Sequence, residues 1–216
     1  MCGLTLAEDA LLALELGASF LGLIFAEGTP RCLTLEDARA LLGEVRARSA
    51  RPVRPFGVFV HEPVGRMVTI VRELDLAAVQ LHGEAHADEA LSALPVPAIR
   101  AVRVKGPESA AEIEPILSAR GVVLLDTYAK GQHGGTGKTF DHDVARPFFG
   151  RGRVFLAGGL TPDNIGAVAG ELGPELPYAF DVSSGLEEAP RRKSAEKMRR
   201  FFGALEAAGV LAKEMT

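Results

Sequence analysis

The chain has 216 residues, 47% of them hydrophobic, and its 24 basic and 28 acidic side chains leave a net charge of -4 at pH 7. That length suits one substantial core better than two small ones, so a single domain over residues 1–216 is expected, and no basic face is on offer for a phosphodiester backbone, which excludes nucleic acid as an expected partner. No apolar run reaches the roughly 18 residues of a membrane span and no basic, signal-like leader opens the chain, so the expectation is a soluble, cytoplasmic protein with no membrane partner.

In chain order, Thr5 and Glu8 have the spacing of a capping box ahead of a helix over 10–16, which Gly17 stops. A strand at 20–25, a helix at 34–45, a strand at 56–60, a helix at 63–74 and a strand at 77–81 follow. Next come a helix over 87–94, a strand at 99–104, and a helix opened by Ser109 with Glu112 that ends near Leu117. Strand 122–126 ends in Asp126, and a weakly patterned helix over 141–149 leads to strand 154–157. Thr161 and Pro162 open a helix over 165–172, strand 178–182 follows, and Ser194 caps a last helix through Phe201 and Phe202.

Most of these strands are continuously apolar, as in parallel sheets covered on both faces. Seven strands alternating with helices make a repeated βα pattern of the α/β class. If the opening "MCGL" is the stub of a further strand, the count becomes eight, and the chain closes as a single (β/α)8 TIM barrel whose first strand is truncated at the N-terminus. An open doubly wound sheet is the alternative.

In either fold ligands sit beyond the carboxyl ends of the strands. Three late strands end there in small-residue loops: "GQHGGTGKT" with Gly134 and Gly135, "AGGLTPDN" with Gly158 and Gly159, and "DVSSGLEE" with Ser183, Ser184 and Gly185. Such loops let backbone N–H groups approach an anion, so a phosphorylated small molecule is implied. The "GKT" of the first loop is not a nucleotide-binding motif, because the required glycine is replaced by Gln132.

Asp126, at the exit of an apolar strand, suits a general acid or serves as a loop cap. Asp181 is a similar strand-end acid that can brace the serine-glycine turn after it. His82, with Glu84 and His86, lies in a strand-to-loop transition that does not present two imidazoles on one helical turn, and with no Cys/His cluster elsewhere no metal is expected. Arg31 is either a carboxylate clamp or an ordinary loop arginine. Cys2 is either a buried inert thiol or a base that works as thiolate. Cys32, the second of two cysteines, is incidental, and no disulfide is expected.

Together "CGLTLAEDA", "GLIF", "TPR", "FGVFV", "VQLHGE", "LLDT", "GGTGKTFD", "AGGLTPDNI" and "DVSSGLE" run in order over nearly the whole chain, and they resemble the phosphoribosylanthranilate isomerase family of tryptophan biosynthesis. The resemblance implies a single barrel without metal or organic cofactor, working as monomer or homodimer on a small phosphorylated substrate. It implies an Amadori rearrangement with Asp126 as general acid and Cys2 as general base. Arg31 would then hold the anthranilate carboxylate. His82 would line the site, and Gly158, Gly159, Ser183, Ser184 and Gly185 would cradle the phosphate. The histidine-pathway sugar-phosphate isomerases are less similar, since they carry an aspartate where this chain has Cys2, and a catalytically silent phosphate binder is the rival of another class. Family members usually carry several residues before the cysteine. Here only Met1 precedes it, so an open seam between the last strand and the one after residue 20 is expected, along with a natural start upstream.

Overall fold

The computed structural model describes residues 1–83, 92–104, 106–119, 121–126 and 145–211. Its elements are α1 (Ala7–Glu15), β1 (Leu21–Ile24), α2 (Leu35–Arg48), β2 (Pro55–Phe59), α3 (Val64–Leu74), β3 (Ala78–His82), β4 (Ala98–Arg103), α4 (Ala110–Ser118), β5 (Val122–Asp126), β6 (Arg153–Ala157), α5 (Ile165–Leu172), β7 (Ala179–Phe180), β8 (Glu187–Ala189), β9 (Arg192–Lys193) and α6 (Ala195–Ala207). The first seven strands form one curled parallel sheet in the order β1-β2-β3-β4-β5-β6-β7, and β8 pairs with β9 as a separate antiparallel hairpin. A doubly wound sheet must reverse its strand order at a switch point. No reversal occurs here, so that alternative falls.

All seven predicted strands are found with their ends shifted by a few residues, and β5 matches residue for residue. The predicted helix at 87–94 falls mostly outside the described residues, and so does the start of the one at 141–149. The described remainder of the latter is a single 3-10 turn, Arg146–Phe148. The predicted cap at Ser194 forms, its Oγ accepting the Lys197 N–H at 3.3 Å, whereas the helix expected to be capped at Thr161 has Asn164 as its cap residue; Thr34, expected inside its helix, caps α2, its Oγ1 accepting the Asp37 N–H at 3.0 Å. The Thr5 capping box does not form. Leu6 is the cap residue and the Thr5 hydroxyl donates to the carbonyl of Arg191. Ser109 caps through no side-chain hydrogen bond, because it ends a 3-10 turn, Pro107–Ser109, that runs straight into α4.

Side chains alternate between two hydrophobic layers, as the strand period of two requires. One set packs outward beneath the helices, with Phe59, Val79, Val102, Val123, Leu125, Val154 and Leu156 against Leu42, Met67, Ile113, Ile165 and Phe201. The other points inward and comprises Phe56, Ala78, Ile99, Val122, Leu124, Phe155 and Ala157. Phe20, at the amino ends of the strands, lies 4.7 Å from the Phe56 ring and 5.8 Å from Phe155, and Tyr178 lies 5.5 Å from Phe155. This aromatic plug fills that end of the curl. Chemistry is left to the carboxyl end.

The expected open seam is not there. Residues 1–4 are buried, and they bridge the two edges of the sheet: the Cys2 N–H donates to Val182 at 2.9 Å, the Gly22 N–H to Met1 at 2.8 Å and the Leu4 N–H to Gly22 at 3.1 Å. The expectation counted residues ahead of Cys2, whereas what matters is where the edge groups go. Here four residues meet them. The Met1 ammonium donates to the Phe20 carbonyl at 2.9 Å, and burial holds it below its ordinary pKa.

Candidate active site

Alternation carries the polar residues onto the inner face just where the apolar ones stop. Val122 and Leu124 belong to the inner layer, so Asp126, two residues on, faces the same way. By the same count Ala78 leads through Gln80 to His82, Ala179 leads to Asp181, and Ile99 leads through Ala101 to Arg103. Cys2 joins them from residues 1–4, lining with Gln80 and Asp181 a small cavity of about 30 Å³ that is closed on its other side by Phe20, Phe56 and Phe155 of the aromatic plug. His82 lies in the fields of Asp126, Asp181 and Arg103, and Asp181 in those of His82, Asp126 and Lys193. Asp126, Asp181 and His82 therefore form one electrostatic cluster, and the Cys2 thiol is linked to it through Asp181.

Their protonation follows from burial. Burial, with the Asp181 carboxylate adding to it, pushes the Cys2 thiol up to about 12, against the Met1 ammonium and Lys193, which favour the thiolate. The Asp181 carboxyl is raised by the same desolvation. Burial lowers His82, although both carboxylates pull the other way. The Gln80 side-chain amide lies 2.8 Å from His82 Nε2 and fixes the orientation of the ring.

Arg31 is fixed from two sides. Its Nε and Nη2 donate to Glu187 at 2.6 and 2.5 Å, a two-pronged pair with the side chains 20% and 6% exposed. The Arg191 guanidinium donates to the carbonyls of Pro30 and Cys32, on either side of Arg31, at 3.1 and 3.3 Å. Arg191 turns the β8–β9 hairpin with φ +75°, a left-handed conformation that a non-glycine residue seldom takes. Burial alone would raise the Glu187 carboxyl, but hydrogen bonds and charge from Arg31 and Lys193 together hold it below the usual range. Nη1 of Arg31 takes no part in that pair. Gly3, with φ +68°, permits this packing, since a Cβ there would meet Arg31 Cδ at 2.6 Å and Ser183 Oγ at 2.8 Å.

The two later glycine loops come together. A Cβ on Gly185 would stand 2.0 Å from the Leu160 carbonyl oxygen, so the loop of Ser183, Ser184 and Gly185 presses directly on the one that follows Gly158 and Gly159. Gly158 and Gly159 take φ +97° and +62°, so their loop turns through left-handed backbone. The Asn164 side chain braces it, accepting the Thr161 N–H at 2.7 Å and donating to the Gly159 carbonyl at 2.9 Å. Gly134 and Gly135 lie outside the described residues, as do Glu84 and His86.

Three polar residues of this site were not singled out in the sequence: Glu187, Lys193 and Arg103. Glu187 is the second-last letter of the "DVSSGLEE" loop and Lys193 the end of a basic run, both of which read as solvated charge. Strand parity applied to 99–104 would have placed Arg103 at the mouth, where it is exposed. Cys32 is pushed up by burial and takes no part. Among the described residues, no group of three or more His, Cys, Asp or Glu side chains could hold a metal ion, and no helix is long and apolar enough to cross a membrane.

Residues 1–204 match the family model of N-(5'phosphoribosyl)anthranilate (PRA) isomerase. An N-(5'-phosphoribosyl)anthranilate isomerase of Pelobacter propionicus is 40% identical over 204 residues, 94% of this chain and 92% of its own. Among solved structures, the phosphoribosyl anthranilate isomerase of Thermotoga maritima superposes with a TM-score of 0.81 at 34% identity, covering 96% of this chain and 97% of that one. A phosphoribosyl anthranilate isomerase in complex with reduced 1-(o-carboxyphenylamino)-1-deoxyribulose 5-phosphate superposes at 0.77 with 31% identity, over 95% and 96% of the two chains.

Proposed function

The chain belongs to the N-(5'-phosphoribosyl)anthranilate isomerase family of tryptophan biosynthesis, and on that footing we propose that it rearranges N-(5-phosphoribosyl)anthranilate to 1-(2-carboxyphenylamino)-1-deoxyribulose 5-phosphate, with Asp126 as general acid and Cys2 as general base. In this reading residues 1–4 serve as the eighth stave of a (β/α)8 barrel. The observation that carries the assignment is the linkage of Cys2 through Asp181 to Asp126 and His82, with Arg31 and the paired glycine loops beside it.

Protonation of the furanose ring oxygen by Asp126 lets the bond from that oxygen to carbon 1 break, with the anilinic nitrogen supplying the electron pair, and a Schiff base forms. The Cys2 thiolate then takes the proton from carbon 2. The enolamine so formed gains a proton at carbon 1, loses its enol proton and becomes the ketone. Returning one proton from Cys2 to Asp126 resets the cycle. The two groups therefore have opposed needs, acid and thiolate together, which a cluster of coupled charges can meet. Arg31 orients the anthranilate carboxylate, and the backbone N–H groups of Gly158, Gly159, Ser183, Ser184 and Gly185 hold the phosphate, with Asp181 bracing the turn; Gly134 and Gly135 are assigned to the ligand from the sequence alone.

One observation favours the rival of a silent phosphate binder, namely a thiol that burial pushes up to about 12. Turnover separates the two. Loss of substrate fluorescence should be rapid with the wild type and reduced at least about 100-fold by Asp126→Asn and by Cys2→Ser, in the range typical for removal of a general acid or base. A wild type that binds phosphorylated ligand without turnover supports the rival, and full rates in both variants refute the roles.

A further inference from the structure

Lys193 is a buried charge for which the proposed reaction has no use. Its side chain is 1% exposed, and its ammonium donates to the Ser183 carbonyl at 3.0 Å and to Glu187 Oε1 at 3.3 Å. Its own backbone N–H donates to Asp9 Oδ2 at 2.9 Å, which pins the residue to the start of α1. Glu187 already accepts two hydrogen bonds from Arg31, so one carboxylate answers two cations, with Asp9 and Asp181 the further acids in the field of Lys193. A buried cation with a shared counter-ion is destabilising, and β9 could have ended on an apolar residue instead. The position faces the base: Ser183, which takes the Lys193 ammonium, directly follows Val182, whose carbonyl takes the Cys2 N–H.

We propose that Lys193 is the positioning residue of the base: it anchors the cradle loop at Ser183 beside Cys2 and provides the positive charge against which the Cys2 thiolate forms. The inference deepens the isomerase reading and rests on it only for the kinetic part of its test.

The charged groups around the thiol support the assignment. Asp181 opposes ionisation of Cys2, while the Met1 ammonium and Lys193 promote it, and Arg31 in turn senses the thiolate. The Met1 ammonium is itself lowered by burial, and Lys193 is lowered by burial too, but Glu187 and Cys2 both act to keep its proton. Lys193 thus joins in one ammonium the phosphate loop, the carboxylate that locks Arg31, and the base.

The test uses the full chain with Cys32→Ser, which leaves Cys2 as the only thiol. Lys193→Gln keeps a donor for the Ser183 carbonyl and removes only the charge, and Lys193→Met removes charge and donor together while leaving Glu187 its two bonds from Arg31. Alkylation of Cys2 by iodoacetamide at pH 8, followed by mass, should slow at least about tenfold in both, the change expected for a thiol raised by one pH unit or more. The ascending limb of the pH profile of kcat/KM should move up by the same interval, with KM changed less than kcat. Lys193→Arg should restore most of the rate. An alkylation rate or limb unmoved in Lys193→Gln, or faster alkylation, means that Lys193 only braces its loop and overturns the proposal. Slower alkylation in a protein that never turns over substrate would instead refute the isomerase reading and leave the placement of Lys193 standing.

Discussion

Gly185→Ala is the sharpest probe of the phosphate cradle, because the contact it disturbs is between two backbones. The added Cβ would stand 2.0 Å from the Leu160 carbonyl oxygen and 3.4 Å from Thr161 Cα. A carbon and an oxygen that are not bonded settle no closer than about 3 Å, so the two loops must part by about 1 Å. Neither side is a flexible side chain that can swing away. The Leu160 loop is held by Asn164 through its bonds to Thr161 and Gly159, and the facing loop is held at Ser183 by Lys193. A misplacement of about 1 Å in groups that position a substrate lowers rates by about 100-fold, or roughly 2.7 kcal/mol of lost transition-state binding. The expected result is a fall of that order in kcat/KM for phosphoribosylanthranilate, together with a weaker competitive inhibition by inorganic phosphate. Gly209→Ala is the control, outside the cradle: a Cβ there meets nothing within 4 Å and strains only a φ of +72°, so stability should drop by about 1 to 2 kcal/mol while phosphate affinity changes little. If Gly185→Ala folds with KM and phosphate inhibition within twofold of the wild type, these loops do not hold the phosphate.

Glu187→Gln should leave the Arg31 and Lys193 charges without their carboxylate, and since Glu187 is 6% exposed and Arg31 only 20%, a loss of about 2 to 4 kcal/mol is expected in urea unfolding, with KM rising more than kcat falls; a loss below 0.5 kcal/mol would mean the pair is no stronger than a surface one. His82 sets an acid limit on stability. Its folded pKa lies below the unfolded value because of burial, so its contribution is present above the unfolded pKa of about 6.5 and is lost as pH falls through the folded one. The raised Asp181 carboxyl acts with the opposite sign, its contribution being lost as pH rises through its folded pKa, and comparison with His82→Asn separates the two. The wild type should lose more unfolding free energy than His82→Asn between pH 8 and pH 5, and parallel curves would show that His82 is not desolvated.

What could be read along the chain and what could not differ in the range of the interactions involved. Strand β5 was found to the residue because a buried parallel strand announces itself by a continuous apolar run, and Asp126 stood out as the polar letter that ends it. Ser194 caps as expected, since it bonds an N–H three residues away. Thr5 has the same spacing, but its hydroxyl goes to Arg191, 186 residues along, and no local pattern reports that competitor. The hairpin of β8 and β9 shows the same limit at the site itself. In the run Arg191, Arg192, Lys193, the Arg192 side chain is 70% exposed and that of Lys193 1%, an alternation of period two in a strand too short to be seen as one.

The partner that gives this hairpin its meaning is Arg31, 156 residues before Glu187. The order of strands brings that pair together, because residues 1–4 lie between β1, which leads into the Arg31 loop, and the end of β7, which leads into Ser183 and the hairpin. The acid of the proposed reaction is thus written into one strand, whereas the setting of its base depends on three distant segments meeting around residues 1–4. A thiol placed there without that meeting would be only a small buried hydrophobe. If the charge that makes it a base comes from Lys193, substitutions in the hairpin should move the ascending limb of the pH profile while leaving the descending limb in place, a separation that local damage to the mouth of the curl would not produce.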